Sequence, residues 1–469
     1  MVAGVVGGWI EELAMGMGRR RRERQGEMWI ATQDLPKTPR HVFYEKLNEL
    51  LAEAGFDDFV EGLCRKYYAE GVGRDSIPPG VYFRMLMVGY FEGIGSQRGI
   101  AWRCGDSRSL AAFLGYTAQE STPDHSSLTY IRKRLPIAVH DQVFGFVLSM
   151  AAVRKLVSGK TVAVDATTLE ANAAMKSIVR RDTGEDWKEY LRRLAEEEGV
   201  QINNDEDLRR FDKGRKKKKV PNAEWKSETD EDARIVKMKD GRTRLGYKAE
   251  HVVDVDSEFV LSAQVHHGDE GDPETLVPSV LDAQINLVRA GEETEVEEAV
   301  ADKGYHKNET LAECEKWGVR TYIPEPDRGR RRWTDKPREQ EKAFRGNRRR
   351  VRGERSKRLQ RKRSEFVERS FAHVCDTGGA RRCWLRGLKK INKRYLIQAA
   401  AHNLGLLMRK LFGIGKPRCL QAPTGFGFLA HFARTRLVAA LQRAMHRIHP
   451  LLLHSTRRCA VLPTFAAAA

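Results

Sequence analysis

Two aspartates stand where short apolar runs stop. Thr161-Val162-Ala163-Val164 has the β-branched, apolar pattern of a strand buried on both faces, and it ends in Asp165, followed by Ala166, Thr167 and Thr168. Glu298-Ala299-Val300-Ala301 repeats the theme and ends in Asp302; Gly304, two residues on, allows a tight turn. A carboxylate at the end of a buried strand sits on a rigid element yet reaches solvent, which suits a metal ligand. An aspartate in that place also serves as ordinary turn chemistry. A third acid, Glu368, lies in SEFVERSFAHV, off the apolar stripe of Phe366, Val367, Phe371 and Val374. Arg369 is its neighbour, so a surface ion pair of little energetic value is the plain alternative.

The elements that must position these acids follow from periodicity. Residues 39 to 136 read as helical: Phe43, Leu47, Leu50 and Leu51 form one stripe, and Tyr82, Met85, Leu86 and Tyr90 another after Pro78-Pro79. The shorter pieces SQRGIAWRC, SRSLAAFLG and PDHSSLTYIRKRL succeed one another as in a helix-turn-helix, with Arg132 and Lys133 as phosphate contacts at the end of the last. A small helical bundle with a basic surface fits that pattern equally well. Leu245 to Asp254 reads as a strand and Ser257 to His266 as its hairpin partner. Asp272-Pro273-Glu274 starts a helix with Asp272 as its cap, and Pro278 should distort it. Around Asp302 the order is strand, helix (KNETLAECEKWGV), strand (RTYIPEP), a βαβ rhythm that implies parallel strands with covering helices. KRYLIQAAAHNLGLLMRKLFG closes the ordered part as a helix with Leu396, Ala400, Leu404, Leu407 and Leu411 on its buried face; Asn403 lies near that face and needs partners.

Charge narrows the partner. The chain of 469 residues carries a net charge of +19 with a pI near 9.6, which favours a polyanion, most simply nucleic acid. Residues 327–363 concentrate it, with eighteen Lys/Arg against five Asp/Glu. Here Arg330, Arg331, Arg332, Arg348, Arg349 and Arg350 are candidate phosphate contacts, and Trp333 and Phe344 could stack on a base or wedge into a step. A solvated hairpin whose aromatics pack on its own core is the alternative. Arg19–Arg22 and Lys216–Lys219 are further basic runs. No apolar run is long enough to span a bilayer, and MVAGVVGGWIEEL, with acids within it and no basic region before it, is a poor signal peptide. The seven cysteines are scattered without a CxxC pair, which suits reduced thiols in a cytosol and argues against zinc.

The motifs taken together resemble the DDE transposases of bacterial insertion sequences, most closely the insertion-sequence-five superfamily. The likeness rests on VAVDATTLEAN at the first acid, TDEDARIVKMKDGRTRLGYKAEHVVD, VADKGYHKNETL at the second, and VERSFAHV, LRGLKK and AAAHNLGLLMRKL at and after the third. HVFYEKLNELL, FRMLMVGYFEGIGSQRGIA and PDHSSLTYIRKRL resemble the helical domain that precedes the catalytic core in these enzymes. The resemblance covers residues 31–412. It implies an α/β fold, a ribonuclease-H-like mixed sheet with covering helices and helical insertions, preceded by an all-α domain. Its divisions would be a basic extension (1–30), an N-terminal DNA-binding domain (31–155), the catalytic domain (156–412, with insertions near 170–245 and 324–363) and an unassigned tail (413–469). It implies Asp165, Asp302 and Glu368 as catalytic acids and metal ligands, Mg²⁺ as cofactor with Mn²⁺ as substitute, double-stranded DNA at element ends and target as partner, a homodimer in a synaptic complex, and a cytoplasmic place on the nucleoid.

Such an enzyme cuts a phosphodiester with water and joins the freed 3′-hydroxyl to another. Both steps are in-line displacements that two Mg²⁺ ions about 3.5–4 Å apart can assist, and Mg²⁺ prefers hard carboxylate oxygens. The tyrosine and arginine that some relatives place shortly before the glutamate are not at the usual spacing; Arg361, Lys362 and Arg363 are basic substitutes. Glu365 is the rival third acid, and Met28 a rival start. A catalytically inactive or domesticated DNA-binding protein, or a ribonuclease-H-fold nuclease without strand transfer, would share these features.

Overall fold

Strand β1 (Thr161–Glu170) is the centre of the main sheet. It belongs to a computed structural model that describes residues 41–69, 76–117, 119–215, 222–238, 240–327, 329 and 332–417. The basic runs Arg19–Arg22 and Lys216–Lys219, Met28, Arg330, Arg331 and the tail from residue 418 lie outside the described residues. On one side β1 pairs antiparallel with β5 (Thr243–Asp254), from Val162↔Asp254 to Glu170↔Gly246. On the other it pairs parallel with β7 (Glu298–Val300) over three residues only, Thr161↔Glu298 to Ala163↔Val300. β8 (Arg320–Tyr322) continues parallel beyond β7, with helix α11 (Asn308–Lys316) between the two in sequence. β4 (Arg234–Lys237) and β6 (Val260–His267) both pair antiparallel with β5. The result is a mixed sheet, parallel on one flank and antiparallel on the other.

One expectation changes here. Asp165 is not at the tip of β1 but in its middle, because Ala166 to Glu170 keep the antiparallel ladder with Glu250 to Gly246. What ends near Asp165 is its parallel neighbour, since β7 stops opposite Ala163.

Among the described residues seven α-helices precede the sheet: α1 (Val42–Glu53), α2 (Phe56–Cys64), α3 (Pro79–Phe91), α4 (Gln97–Asp106), α5 (Arg108–Phe113), α6 (His125–Arg134) and α7 (Ile137–Ala152). Phe43, Leu47, Leu50 and Leu51 bury the expected stripe of α1. α3 starts at Pro79 in its first turn and is buried all round, as a helix without a polar face must be. Between β1 and β4 lies a small two-stranded sheet of β2 (Ile178–Arg180) and β3 (Trp225–Ser227) with helices α8 (Trp187–Glu197) and α9 (Asp205–Gly214).

α10 (Asp272–Arg289) carries Pro278 in its interior, and its N-cap is Gly271 rather than Asp272, whose carboxylate is used elsewhere. α12 (Arg338–Val351) and α13 (Glu354–Phe371) follow β8, so the end of the basic segment, residues 354–363, and Glu368 share one helix, which runs on into a π-turn at Ala372–Thr377. α14 (Leu388–Phe412) packs against α3 and α7 on one side and β6 on the other, tying the N-terminal helices to the sheet. Its Asn403, fully buried, makes a two-point bond to β6: the side-chain oxygen accepts from Val260 N at 3.0 Å and the amide donates to Val260 O at 2.8 Å. Leu411, expected on the buried face, is 38 % exposed. Cys64, Cys104, Cys314, Cys375 and Cys383 are free and buried.

Candidate active site

The short parallel pairing of β1 with β7 places Asp302 beside Asp165. β7 leaves the sheet after Val300, so Ala301 and Asp302 come off it alongside the middle of β1. Asp302 then caps a 3₁₀ turn (Lys303–Tyr305), its Oδ1 accepting from Gly304 N at 2.7 Å. Tyr305 fixes that turn from below: fully buried, it donates its hydroxyl to Glu250 of β5 at 2.7 Å. Glu250, 1 % exposed, also accepts from Thr275 (2.7 Å) and from Ser279 of α10. Lys248, on the same face of β5, pairs with Asp272 at 2.9 Å. Asp272 in turn stands against the Asp302 turn, since a Cβ built on Gly304 would lie 2.8 Å from Asp272 Oδ2 and 2.9 Å from Asp302 Oδ1. A side chain at residue 304 would collide with both.

Asp165 is approached from the other face of the sheet. Arg363 of α13 donates Nη1–H to its Oδ2 at 2.5 Å, and Oδ1 accepts from Ala166 N at 2.8 Å. Burial raises the Asp165 carboxyl above its ordinary range and the charge of Asp302 adds to the rise, while Arg363 and the Ala166 N–H oppose it. α13 is held against the sheet by two further contacts. Gln360 donates to the carbonyls of Ala301 (3.0 Å) and Tyr322 (2.8 Å), the ends of β7 and β8. Ser370 gives its hydroxyl proton to Val367 O at 2.7 Å, so it accepts from Nδ1 of His251 at 2.8 Å; Nε2 of His251 then accepts from Tyr395 of α14 at 2.8 Å. His251 is the register partner of Asp165.

Glu368 is exposed, and its carboxylate enters no hydrogen bond or ion pair among the described residues. At 100° per residue it lies roughly 140° round α13 from Arg363. Arg369 does not pair with it but with Glu258 at 2.6 Å and with Glu365. Among the described residues no three His, Cys, Asp or Glu side chains converge closely enough to hold a metal ion. The structure therefore brings Asp165 and Asp302 together, while Glu368 stands exposed on α13.

The expected nucleic-acid contacts divide in the same way. Arg348 pairs with Glu325 at 2.9 Å, and Arg350 donates Nε–H to Thr321 O at 2.9 Å, so both hold α12 to the protein. Arg349 and Arg332 are exposed. Trp333 is half-buried on Phe344, ring centroids 5.0 Å apart, which is core packing rather than a free wedge. Lys133 is exposed, but Arg132 is buried, with its guanidinium turned inward. The sequence assigns no site role to Glu250, Tyr305, Lys248 or Gln360, and to Asp272 only that of a helix cap. Lys248 and Glu250, two residues apart and so on one face of a largely buried strand, are the available signal.

Residues 222–404 match the family described as Transposase DDE domain, and residues 33–134 match Transposase domain (DUF772). The chain carries the domains of a DDE transposase. No curated protein and no solved structure matches it. Asp302 and Glu368 of the transposase fall within the DDE match, whereas Asp165 lies between the two matched stretches. The mixed sheet with covering helices and a helical region before it is the ribonuclease-H-like layout of such a domain. At the level of the family, the DDE domain implies phosphoryl transfer on DNA with a divalent cation. Among the described residues no single helix is long and apolar enough to cross a membrane.

The donor chemistry fits such a cation. Two hard carboxylates, close enough for the charge of one to raise the other's proton affinity, would be relieved by a divalent ion, which they are suited to hold.

Proposed function

We propose that this transposase, of the insertion-sequence-five type, binds element-end DNA and catalyses metal-dependent strand cleavage and strand transfer. The observation that carries the reading is the β1–β7 pairing that sets Asp302 beside Asp165 in a chain with both transposase domains. Asp165 and Asp302 would hold the cation, with Glu368 of α13 as the third acid. Mg²⁺, or Mn²⁺ in its place, would supply the positive charge that stabilises the entering and leaving oxygens of an in-line displacement.

The protein's own part is positioning. Tyr305 and Glu250 fix the Asp302 turn, the antiparallel ladder with β5 fixes Asp165, and Gln360 fixes the helix that carries Arg363 and Glu368. Arg363 opposes the rise that burial imposes on the Asp165 carboxyl, favouring its ionised form. Exposed cations of α12 and α13, Arg349 among them, would track the DNA backbone, and Lys133 would meet phosphate on α6. A homodimer holding two element ends, on the nucleoid, completes the proposal.

The test incubates the purified full chain and Mg²⁺ with a labelled duplex carrying the flanking element end. A nick at the end followed by a joined product is expected. Nicking without joined product would make the chain a nuclease, and binding without nicking would make it a DNA-binding relic.

A further inference from the structure

Three buried cations meet where α6, α3 and α14 join, with no carboxylate among them. Arg132, Lys393 and Arg394 are 7, 5 and 8 % exposed. Lys393 Nζ donates to the carbonyls of Arg132 (2.9 Å) and Leu135 (2.6 Å), at the C-terminal end of α6. Arg394 donates Nη2–H to Ile94 O at 2.9 Å. Its Nη1, and the Nε and Nη1 of Arg132, are buried and meet no acceptor.

Among the described residues the adjoining groups bring no negative charge. Tyr82, fully buried beside both guanidinium groups, has its phenol pushed up by burial and stays neutral. Nδ1 of His140 faces the Pro136 carbonyl at 3.0 Å, so it carries the proton, and Nε2 accepts from the Tyr82 hydroxyl at 3.1 Å. Burial holds His140 down to about 4, with Lys393 and Arg132 adding to the effect, so it brings no charge of either sign at neutral pH. Buried cations are normally paired, because desolvating them is otherwise strongly unfavourable.

Three unmade N–H bonds on two fork-shaped guanidinium groups are the complement of an oxyanion with several acceptors. Lys133, Arg134, Lys389 and Lys390 stand exposed on the adjoining turns of α6 and α14. Arg394 also lines a small cleft of about 30 Å³ with Gly95, Arg382, Trp384 and Gln398. Trp384 there is 52 % exposed under the Arg382 guanidinium (5.5 Å), an arrangement that suits a base beside a phosphate.

We propose that Arg132, Lys393 and Arg394 form a binding site for a phosphate-type oxyanion, supplied either by a DNA backbone or by free phosphate. The site uses none of the residues assigned to strand transfer and stands or falls independently of that assignment.

The experiment titrates the full chain with inorganic phosphate in a phosphate-free, low-salt buffer, following heat of binding and unfolding temperature, with chloride at equal ionic strength as control. One phosphate per chain and a rise in unfolding temperature beyond the chloride control are expected. Arg132→Met and Arg394→Met should each bind phosphate roughly tenfold or more weakly, while Glu313→Gln, on the exposed side of α11, should bind it as the wild type does. Absence of phosphate-specific heat in the wild type, or unchanged binding in both methionine variants, would overturn the proposal. Calorimetry on the wild type stands even where a variant does not fold. A duplex of unrelated sequence that competes with phosphate identifies the DNA backbone as the source; independent binding of the two identifies free phosphate.

Discussion

Arg363 of α13 donates to Oδ2 of Asp165 at 2.5 Å, across 198 residues of sequence, so one carboxylate of the candidate site is already neutralised by the helix that also carries Glu368. Both side chains are largely buried, 13 and 25 % exposed. A divalent cation held by Asp165 would compete with this guanidinium. Arg363→Gln should therefore bind Mn²⁺ about tenfold more tightly than wild type, the order expected on removing one charge-assisted bond. Calorimetric or paramagnetic titration of Mn²⁺ checks this, and weaker binding in the variant would assign Arg363 to support of the site rather than competition for it.

Buried histidines predict an acid-sensitive fold. Burial holds His251 neutral down to about 3 and His140 to about 4, whereas histidines of an unfolded chain take up protons near 6.5. The unfolded state thus binds these protons first. Stability is complete above about pH 6.5 and falls, by about 1.4 kcal/mol per unit for each histidine, as the pH drops towards 4. Asp141 acts in the opposite sense: burial and the Asp282 charge push it up to about 6, so the folded state takes its proton first and offsets one histidine below that pH. Urea midpoints at pH 7.5, 6 and 5 should fall steadily, and a flat profile would contradict the assignment.

Asn403 joins α14 to β6 by both halves of its amide. Asn403→Ala leaves a buried N–H and a buried carbonyl of Val260 without partners, and should cost about 2–4 kcal/mol. Chemical denaturation with an unchanged slope is the check.

Arg349 and Arg350 are neighbours with different employment. Arg349→Ala should weaken duplex binding and lower the salt slope of log affinity by about 1. Arg350→Ala removes the bond to Thr321 O, and should lower stability by about 1–3 kcal/mol while leaving that slope unchanged. Identical salt dependence in the two variants would contradict this division.

The parts legible in the sequence were those set by local pattern. The β-branched run before Asp165, the βαβ rhythm around Asp302 and the apolar face of α14 follow from period alone, and Asn403 announced itself as a polar group on that face. The length of β1 did not, because Thr167 and Thr168 read as turn residues until their ladder with Ala249 and Lys248 is seen. The inward turn of Arg132 depends on α14, some 260 residues away, and the Tyr305–Glu250 bond spans 55. Trp333 looked free for DNA because its partner, Phe344, arrives only when α12 folds back. Pairings of this kind are set by tertiary packing, and no local spacing encodes them.

The central claim is that Asp165 and Asp302, completed by Glu368, form the phosphoryl-transfer centre. Its most direct test compares the rate of Mg²⁺-dependent nicking of an end-bearing duplex by wild type, Asp165→Asn, Asp302→Asn and Glu368→Gln, with duplex binding measured on the same preparations. The account predicts a loss of about 10³-fold or more in each variant, of the order seen when a group acting on transition-state charge is removed, with binding retained. Wild-type nicking by Asp165→Asn or Asp302→Asn would contradict it outright, and nicking that survives Glu368→Gln but not Glu365→Gln would move the third acid to Glu365.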